Sequence, residues 1–296
     1  MTVVRSSKGI LCAGRVYCDL VFTDVPSLPV MNTEVFADGL SLHAGGGAFI
    51  TAAAFRALGQ PASLLVYLPA APFEDATRAD LIAARVDDSL CAQMEAGVGP
   101  QITVVMTGGE DRAFLSHKSG VAMPQADLPS GQWHHLHIGE LRSLMEHPDL
   151  IAKARDAGMT ISVDCGWDDA LLAQGNALND VLSQIDVFLP NEAEYDALCA
   201  SGLTNAAKLV VVKCGAKGAR ALIEGTWVQQ DALPTAVVDA TGAGDAFNGG
   251  FLTAWLEGRR VKDCLSLGNR CGAAAVSQAG GVAGLKRLSA TLVQGS

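Results

Sequence analysis

Short runs of apolar, β-branched residues alternate along this chain with longer stretches whose apolar positions recur every three or four residues. "ILCAGRVYCDLVF" (10–22) predicts a strand that runs into a turn. "GGGAFITAAAFRALG" (45–59) predicts a glycine turn and a helix closed by Gly59. "SLLVYL" (63–68) is a short strand pattern and "FEDATRADLIAAR" (73–85) a helical one. "HHLHI", "MTISVD", "DVFLP" and "KLVVVKCG" predict further strands, with helical or loop segments between them. Short apolar strands alternating with helices predict a mostly parallel central sheet covered on both faces. No linker-like tract or repeat interrupts the pattern, so the expectation is a single α/β domain over 1–296.

Two regions, about 14–44 and 101–117, break the alternation and read as extended pieces. "ITVVMTGGEDRAFLSH" predicts a hairpin across Gly-Gly-Glu-Asp. Strands without crossover helices predict a small β appendage, which either covers a site and excludes water or is a surface hairpin.

With 49% hydrophobic residues a sizeable core is expected, and a net charge of −10 argues against nucleic acid or an acidic membrane as partner. The sequence has no long apolar run and its start lacks a signal-peptide apolar region, so a cytoplasmic protein is expected. The eight cysteines include no C-x-x-C pair and read as reduced, small core residues.

Chemistry concentrates in "VVDATGAGDAFNGGFLTAWLEG", from Val237 to Gly258. Gly242 and Gly244 permit a sharp turn and close approach of a ligand to the backbone. The helix predicted to follow points its free N–H groups back at this knot, which makes an anion site suited to phosphate. Asp245 stands there either as a helix cap or as a base for a group that attacks the phosphate. No G-x-x-x-x-G-K-[ST] loop is present, and neither Gly242-Ala243-Gly244 nor Gly45-Gly46-Gly47 completes G-x-G-x-x-G.

"DATGAGDAFNGGF" resembles the C-terminal signature of the ribokinase-like, PfkB-type carbohydrate kinases. "GRVYCD", "AGGGAFITAAAFRALG", "PNEAE", "VVKCGAKGA" and "LGNRCGAAAVSQAGG" match that family in its order. The resemblance implies a ribokinase-like three-layer α/β/α sandwich with a small β lid, and transfer of the ATP γ-phosphate to a hydroxyl of a small-molecule sugar or sugar derivative. It implies Asp245 as the base and the amides of Gly242, Ala243 and Gly244 as the anion hole. Asn191 and Glu194 would organise Mg2+ through water, although Asn followed by Glu three residues later is also a capping pattern. Lys213, Gly215 and Gly218 would line the ATP phosphates and ribose, with Thr241 beside them. Asn269 would line the adenine pocket or sit as a polar residue on a packed helix face. Asp239 and Thr241 match positions that in several relatives hold a monovalent cation, K+, beside the anion hole, to which Val276 and Gly281 could offer carbonyls. A homodimer through the lid is an arrangement the resemblance allows.

On the acceptor side the resemblance implies Asp19, Gly45, Gly46, Gly47 and Glu140. A carboxylate accepts two hydroxyl hydrogen bonds, which suits a sugar. The chain departs from the pattern at Ile50, where many members carry a sugar-binding Asn. It departs again where "D-x-N-x-R" reads "DCGW" from Asp164 to Trp167. Trp167 either stacks on an acceptor's apolar face or covers the core. His134, His135 and His137 are expected to be ordinary strand histidines rather than zinc ligands. Three functions remain in view: a sugar kinase, a nucleoside kinase of the same fold, and a non-catalytic sugar or nucleotide sensor.

Overall fold

The computed structural model describes residues 8–286 and Leu288, apart from residues 96–97, 99–100, 109–110, 129–130, 205–206 and 279. The chain opens with β1 (Ile10–Ala13), β2 (Tyr17–Thr23), β3 (Gly39–Gly45) and α1 (Gly47–Ala57). Then come β4 (Ala62–Leu65), β5 (Tyr67–Leu68), α2 (Glu74–Ala84), β6 (Ala92–Gln93), β7 (Ile102–Gly108) and β8 (Asp111–His117). β9 (His135–Ile138), α3 (Leu141–Glu146), α4 (Leu150–Asp156), β10 (Thr160–Asp164), α5 (Asp169–Leu172), α6 (Gly175–Leu182) and β11 (Ile185–Leu189) form the middle. α7 (Glu192–Ala200), β12 (Ala207–Lys213), β13 (Ala219–Ile223), β14 (Thr226–Gln230), α8 (Ala243–Leu256) and α9 (Val261–Val276) complete it.

Eight strands form the main sheet in the order β14-β13-β12-β11-β10-β9-β1-β4. The six from β12 to β4 are parallel, and each is short and largely buried because both faces are covered. One face packs Phe49, Phe55, Phe247 and Phe251 from α1 and α8. The other packs Leu144, Ile151, Leu178 and Leu198 from α3, α4, α6 and α7. α8 lies between α1 and α9, and two glycines let it in. A Cβ on Gly249 would stand 2.6 Å from Ala54 Cβ, and one on Gly250 2.6 Å from Cys271 Sγ. Among the described residues no helix is long and apolar enough to cross a membrane.

The second sheet, β3-β2-β7-β8, is built from the two segments that break the sequence alternation. β7 and β8 pair as the expected hairpin; its turn residues Gly109 and Glu110 lie outside the described residues. Alternation along β2 and β3 gives this sheet two unlike faces. Tyr17, Asp19, Ser41 and His43 share one, while Leu20, Phe22, Leu40 and Leu42 share the other.

Two expectations need correction. "ILCAGRVYCDLVF" is two strands in two different sheets. Gly14 (φ 149°) breaks the run, and its Cα is close against Gly139. The segment after Gly218, for which no strand was expected, is a hairpin. β13 and β14 pair antiparallel across Glu224 (φ 47°) and Gly225 (φ 81°), two left-handed residues that fit a tight two-residue turn.

Phe251 is fully buried and stacks on Phe247 with ring centroids 6.1 Å apart. Phe251→Ala is expected to cost about 3–5 kcal/mol of unfolding free energy, measured by urea denaturation.

Candidate active site

The parallel strands β1, β9, β10 and β12 all end at one edge of the main sheet, where open α/β sheets bind ligands. α8 begins there. Gly242 (φ 70°, ψ 4°) is its N-cap residue and supplies no side-chain cap bond. Within the first turn Ala243 N–H reaches Ala240 O at 3.4 Å and Ala246 N–H donates to Gly242 O at 2.8 Å. The N–H groups of Gly242, Gly244 and Asp245 take no carbonyl among the described residues. Three donors at a helix start, with the helix dipole behind them, attract an anion. The knot is packed from below: a Cβ on Gly242 would lie 2.7 Å from Ile50 Cδ1. Ile50, buried on α1, therefore supports the turn with apolar bulk.

Asp245 is not the cap of this helix. Its side chain makes no hydrogen bond among the described residues, and it comes close to the glycine turn before α1. A Cβ on Gly47 would stand 2.9 Å from Asp245 Oδ1 and 2.6 Å from Gly139 O. Burial, then Asp164, raise its pKa well above the ordinary carboxylate range; Lys213 opposes them, and Glu194 and Asp19 add to the rise.

Lys213, at the end of β12, is the cation of this group. Its Nζ donates to Asp164 Oδ2 at 2.6 Å and to Asn248 Oδ1 at 3.4 Å. Asn248 Nδ2 donates to the same Asp164 oxygen at 2.5 Å, and Cys165 N–H takes the other at 2.7 Å. Asp164, Glu194 and Asp245 together hold Lys213 protonated against its burial. The ammonium also lies under the knot, 3.4 Å from where a Cβ on Gly244 would be.

Asn191 and Glu194 form a complete capping box at the start of α7. Asn191 Oδ1 accepts Glu194 N–H at 2.9 Å and Glu194 Oε2 accepts Asn191 N–H at 2.8 Å. Glu194 Oε1 takes no hydrogen bond among the described residues. Burial and then Asp164 raise the Glu194 pKa.

Gly215, Gly218 and Asn269 meet at the end of β14. The loop closes by Cys214 N–H to Gly218 O at 2.8 Å, and a Cβ on Gly218 would strike Gln230 O. Asn269 Nδ2 donates to Gln230 O and Asp231 O, each at 3.0 Å. Asp239 ties two loops together, accepting Thr241 N–H at 2.8 Å and Gly280 N–H at 3.0 Å. Thr241 Oγ1 is buried without a hydrogen-bond partner among the described residues.

In the second sheet, Asp19 projects from β2 and is 9% exposed. Burial pushes its pKa up to about 7; His43 lowers it and Asp239 raises it. Gly45 must be glycine because a Cβ would collide with the Asp19 carboxylate, and a Cβ on Gly46 (φ 98°) would collide with Arg15 O. Glu140 accepts Ser143 Oγ–H at 2.8 Å and lies 3.3 Å from Arg15 Nε. A cavity of about 270 Å3 opens beside it, lined by Tyr17, Lys118, Glu140, Arg142, Trp167 and Asp168 among others. Trp167 is 62% exposed on that wall, so it does not cover the core. The larger cavity, about 510 Å3, lies on the opposite, apolar face of the second sheet, away from Asp245.

His135 and His137 are buried strand histidines. His135 bonds Thr160 Oγ1 and Ser162 Oγ at 2.7 Å each, and His137 bonds Ser162 Oγ at 2.8 Å. Among the described residues no cluster of three metal-ligating side chains occurs. Sequence reading missed the central roles of Asp164 and Asn248; each lies inside a quoted motif, but only the fold brings them together.

Three comparisons place this geometry among known proteins. The family model of the pfkB family of carbohydrate kinases matches residues 8–287. An uncharacterized sugar kinase of Archaeoglobus fulgidus is 34% identical over 143 residues, 43% of this chain and 54% of that protein. This alignment thus spans about half the length of the relative. An ATP-dependent ribose-1-phosphate kinase of Halopiger xanaduensis is 28% identical over 284 residues, 92% of this chain and 93% of the relative. The Methanocaldococcus jannaschii nucleoside kinase, an archaeal member of the ribokinase family, shares the fold: TM-score 0.80, 19% identity, 97% of this chain and 98% of that one.

Lys213→Met would leave three carboxylates without their buried counter-charge. A loss of about 3–5 kcal/mol is expected at pH 8. Without Lys213 the folded-state pKa values of Asp245 and Glu194 rise further above their unfolded ones. The protonated state tolerates burial, so stability is lost as pH rises and the deficit should shrink towards pH 5. Denaturation curves of variant and wild type at the two pH values measure this.

Proposed function

The chain belongs to the pfkB family of carbohydrate kinases, and from that premise we propose that it transfers the γ-phosphate of ATP to a hydroxyl of a sugar or sugar derivative. The observation that carries this reading is the Asp245 carboxylate, free of hydrogen bonds, beside helix-start amides with no carbonyl partner. In the proposed step the acceptor oxygen forms a bond to the γ-phosphorus and the bond to the ADP oxygen breaks. The hydroxyl proton passes to Asp245, and the amides of Gly242 and Gly244, with Ala243 N–H drawn from its 3.4 Å contact to Ala240 O, receive the developing negative charge. The loop with Gly215, Gly218 and Thr241 and the pocket near Asn269 would take the nucleotide, with Lys213 acting from beneath the knot. Asp19, Gly45, Gly46, Gly47 and Glu140 would hold the acceptor.

The donor set fits Mg2+ organised through water. Glu194 keeps one oxygen outside its capping box, where it can accept a hydrogen bond from a metal-bound water. When bound, Mg2+ would neutralise phosphate charge. Asp239 would hold K+ in the same reading, with the unpartnered Thr241 hydroxyl beside it. A nucleoside acceptor is the second reading. It is favoured by the cavity beside Glu140, whose lining includes two aromatic side chains, exposed Trp167 and half-buried Tyr17. The protein is proposed to be cytoplasmic and to act on small molecules, without nucleic acid or membrane partners.

ADP release from ATP across sugars, sugar acids, sugar phosphates and nucleosides tests the activity. With the acceptor so found, Asp245→Asn is expected to keep nucleotide binding and lower kcat by about 10²-fold or more. Wild-type kcat should fall as pH drops through the raised pKa of Asp245. An unchanged kcat in the variant would remove Asp245 from the role of base.

The apolar face of the lid supports a homodimer. Leu40 (57% exposed), Leu42 and Leu115 lie on the side away from Asp19, with Phe36 (75% exposed) nearby. Contiguous apolar surface of this kind marks an interaction site. Light scattering is expected to give twice the 30.6 kDa chain mass, and Leu40→Glu with Leu42→Glu to give the chain mass itself.

A further inference from the structure

Asp19 and His43 face each other directly across the β2–β3 pair and project from the same face of the lid. The Asp19 carboxylate is buried and makes no hydrogen bond among the described residues. His43 is anchored on three sides. Its Nδ1 lies 3.6 Å from Asp80 Oδ2 on α2, and its Nε2 is 3.0 Å from Ser41 Oγ on its own strand. Its ring covers Gly280, where a Cβ would stand 3.3 Å from the imidazole. Gly280 in turn donates to Asp239.

The charges facing this imidazole come from every element packed on it: Asp80 from α2, Asp19 from β2, and Asp239 from the segment before α8. All are negative. Lys286 acts on Asp80 from the far side. One imidazole thus stands among three carboxylates from three elements, and two of those have other partners. Asp80 accepts Ala44 N–H at 2.8 Å, and Asp239 accepts the amides of Thr241 and Gly280. Asp19 alone of the three has no hydrogen-bonded partner; His43 is the cation beside it.

We propose that His43 is a positioning residue for the acceptor: held by Asp80 and Ser41, it supplies the positive charge that keeps Asp19 ionised and aimed into the cleft. This rests on the reading of Asp19 as the group that accepts the acceptor's hydroxyl protons in hydrogen bonds. An ionised carboxylate accepts two such bonds, whereas a protonated one must also donate. Burial and Asp239 favour the protonated form of Asp19 and His43 opposes them, so the imidazole decides the charge near neutral pH. Because the same ring lies on Gly280, it also joins the acceptor side of the lid to the loop that Asp239 ties to the anion hole.

The test compares His43→Gln, His43→Lys and Asp19→Ala with wild type, using D-fructose and cytidine as probe acceptors at saturating ATP. If loss of His43 moves the Asp19 pKa up by about one unit, the ionised fraction at pH 7 falls about fivefold. The acceptor KM of His43→Gln should therefore rise by about fivefold at pH 7 with kcat little changed. It should rejoin wild type at pH 9, where Asp19 is ionised with or without the imidazole. His43→Lys should keep a near wild-type KM at pH 7. A direct readout uses the intact imidazole: the chain has six histidines, and His43→Gln assigns the His43 proton resonance. In Asp19→Asn that resonance should titrate at lower pH, since a neighbouring negative charge is gone. An identical His43 titration in Asp19→Asn overturns the inference, whatever the probes do. So does a His43→Gln KM that matches wild type at pH 7 while Asp19→Ala raises it. If Asp19→Ala also leaves KM unchanged, the acceptor reading of Asp19 fails, and the inference fails with it.

Discussion

One buried ammonium holds the centre of this molecule together. Lys213 stands at the end of β12 among Asp164 from β10, Glu194 from α7 and Asp245 from α8. Four elements that are distant in sequence therefore meet at one charge. The arrangement has a cost in stability, because three carboxylates and one cation leave net negative charge in a poorly solvated place. Burial first, and that surplus second, raise the Asp245 and Glu194 pKa values. A carboxyl group with a raised pKa at a helix start is a good proton acceptor beside a site that attracts anions. Stability given up here and reactivity gained there have the same electrostatic origin.

Close packing of backbone complements this charge. Gly47, Gly139 and Gly242 bring the turn before α1, the end of β9 and the start of α8 into contact. A side chain at any of them would strike a neighbour, whether Asp245 Oδ1, the backbone of Ala48 or the Ile50 side chain. The amides of the knot are thus left facing the cleft, and Asp245 lies beside them. The lid adds the third component. Its polar face carries Asp19 and His43 towards the cleft, and its apolar face turns outward. Period-2 alternation in two short strands accomplishes both.

Much of this is legible in sequence. The strands β11 and β12 are clear because both faces of a parallel sheet are buried and their runs are mostly apolar, whereas β9 and β10 carry His135, His137, Thr160 and Ser162 among their apolar residues. The knot is legible because its glycines and acid lie within a few residues of each other. The β13–β14 hairpin is not, since Glu224-Gly225 is a weak turn signal and Arg220 and Trp227 interrupt the apolar pattern. They make a cation–π contact 4.7 Å from guanidinium to ring centroid, visible only once the strands pair. Asp164 and Asn248 are 84 residues apart and share a hydrogen bond that no local pattern announces. Asn191 and Glu194 are the reverse case: the capping box is readable from spacing and forms as written, while a role with metal depends on Glu194's second oxygen and its surroundings.

The central claim is that the start of α8 moves a phosphoryl group onto a hydroxyl. Phosphorus NMR of the protein with ATP, Mg2+ and an acceptor panel observes that event directly. The account predicts that the γ-phosphate signal decays while a phosphate-ester resonance grows in equal amount, together with ADP. Inorganic phosphate as the sole product with every acceptor, or an ATP spectrum unchanged with every acceptor while binding of ATP is evident, would contradict it.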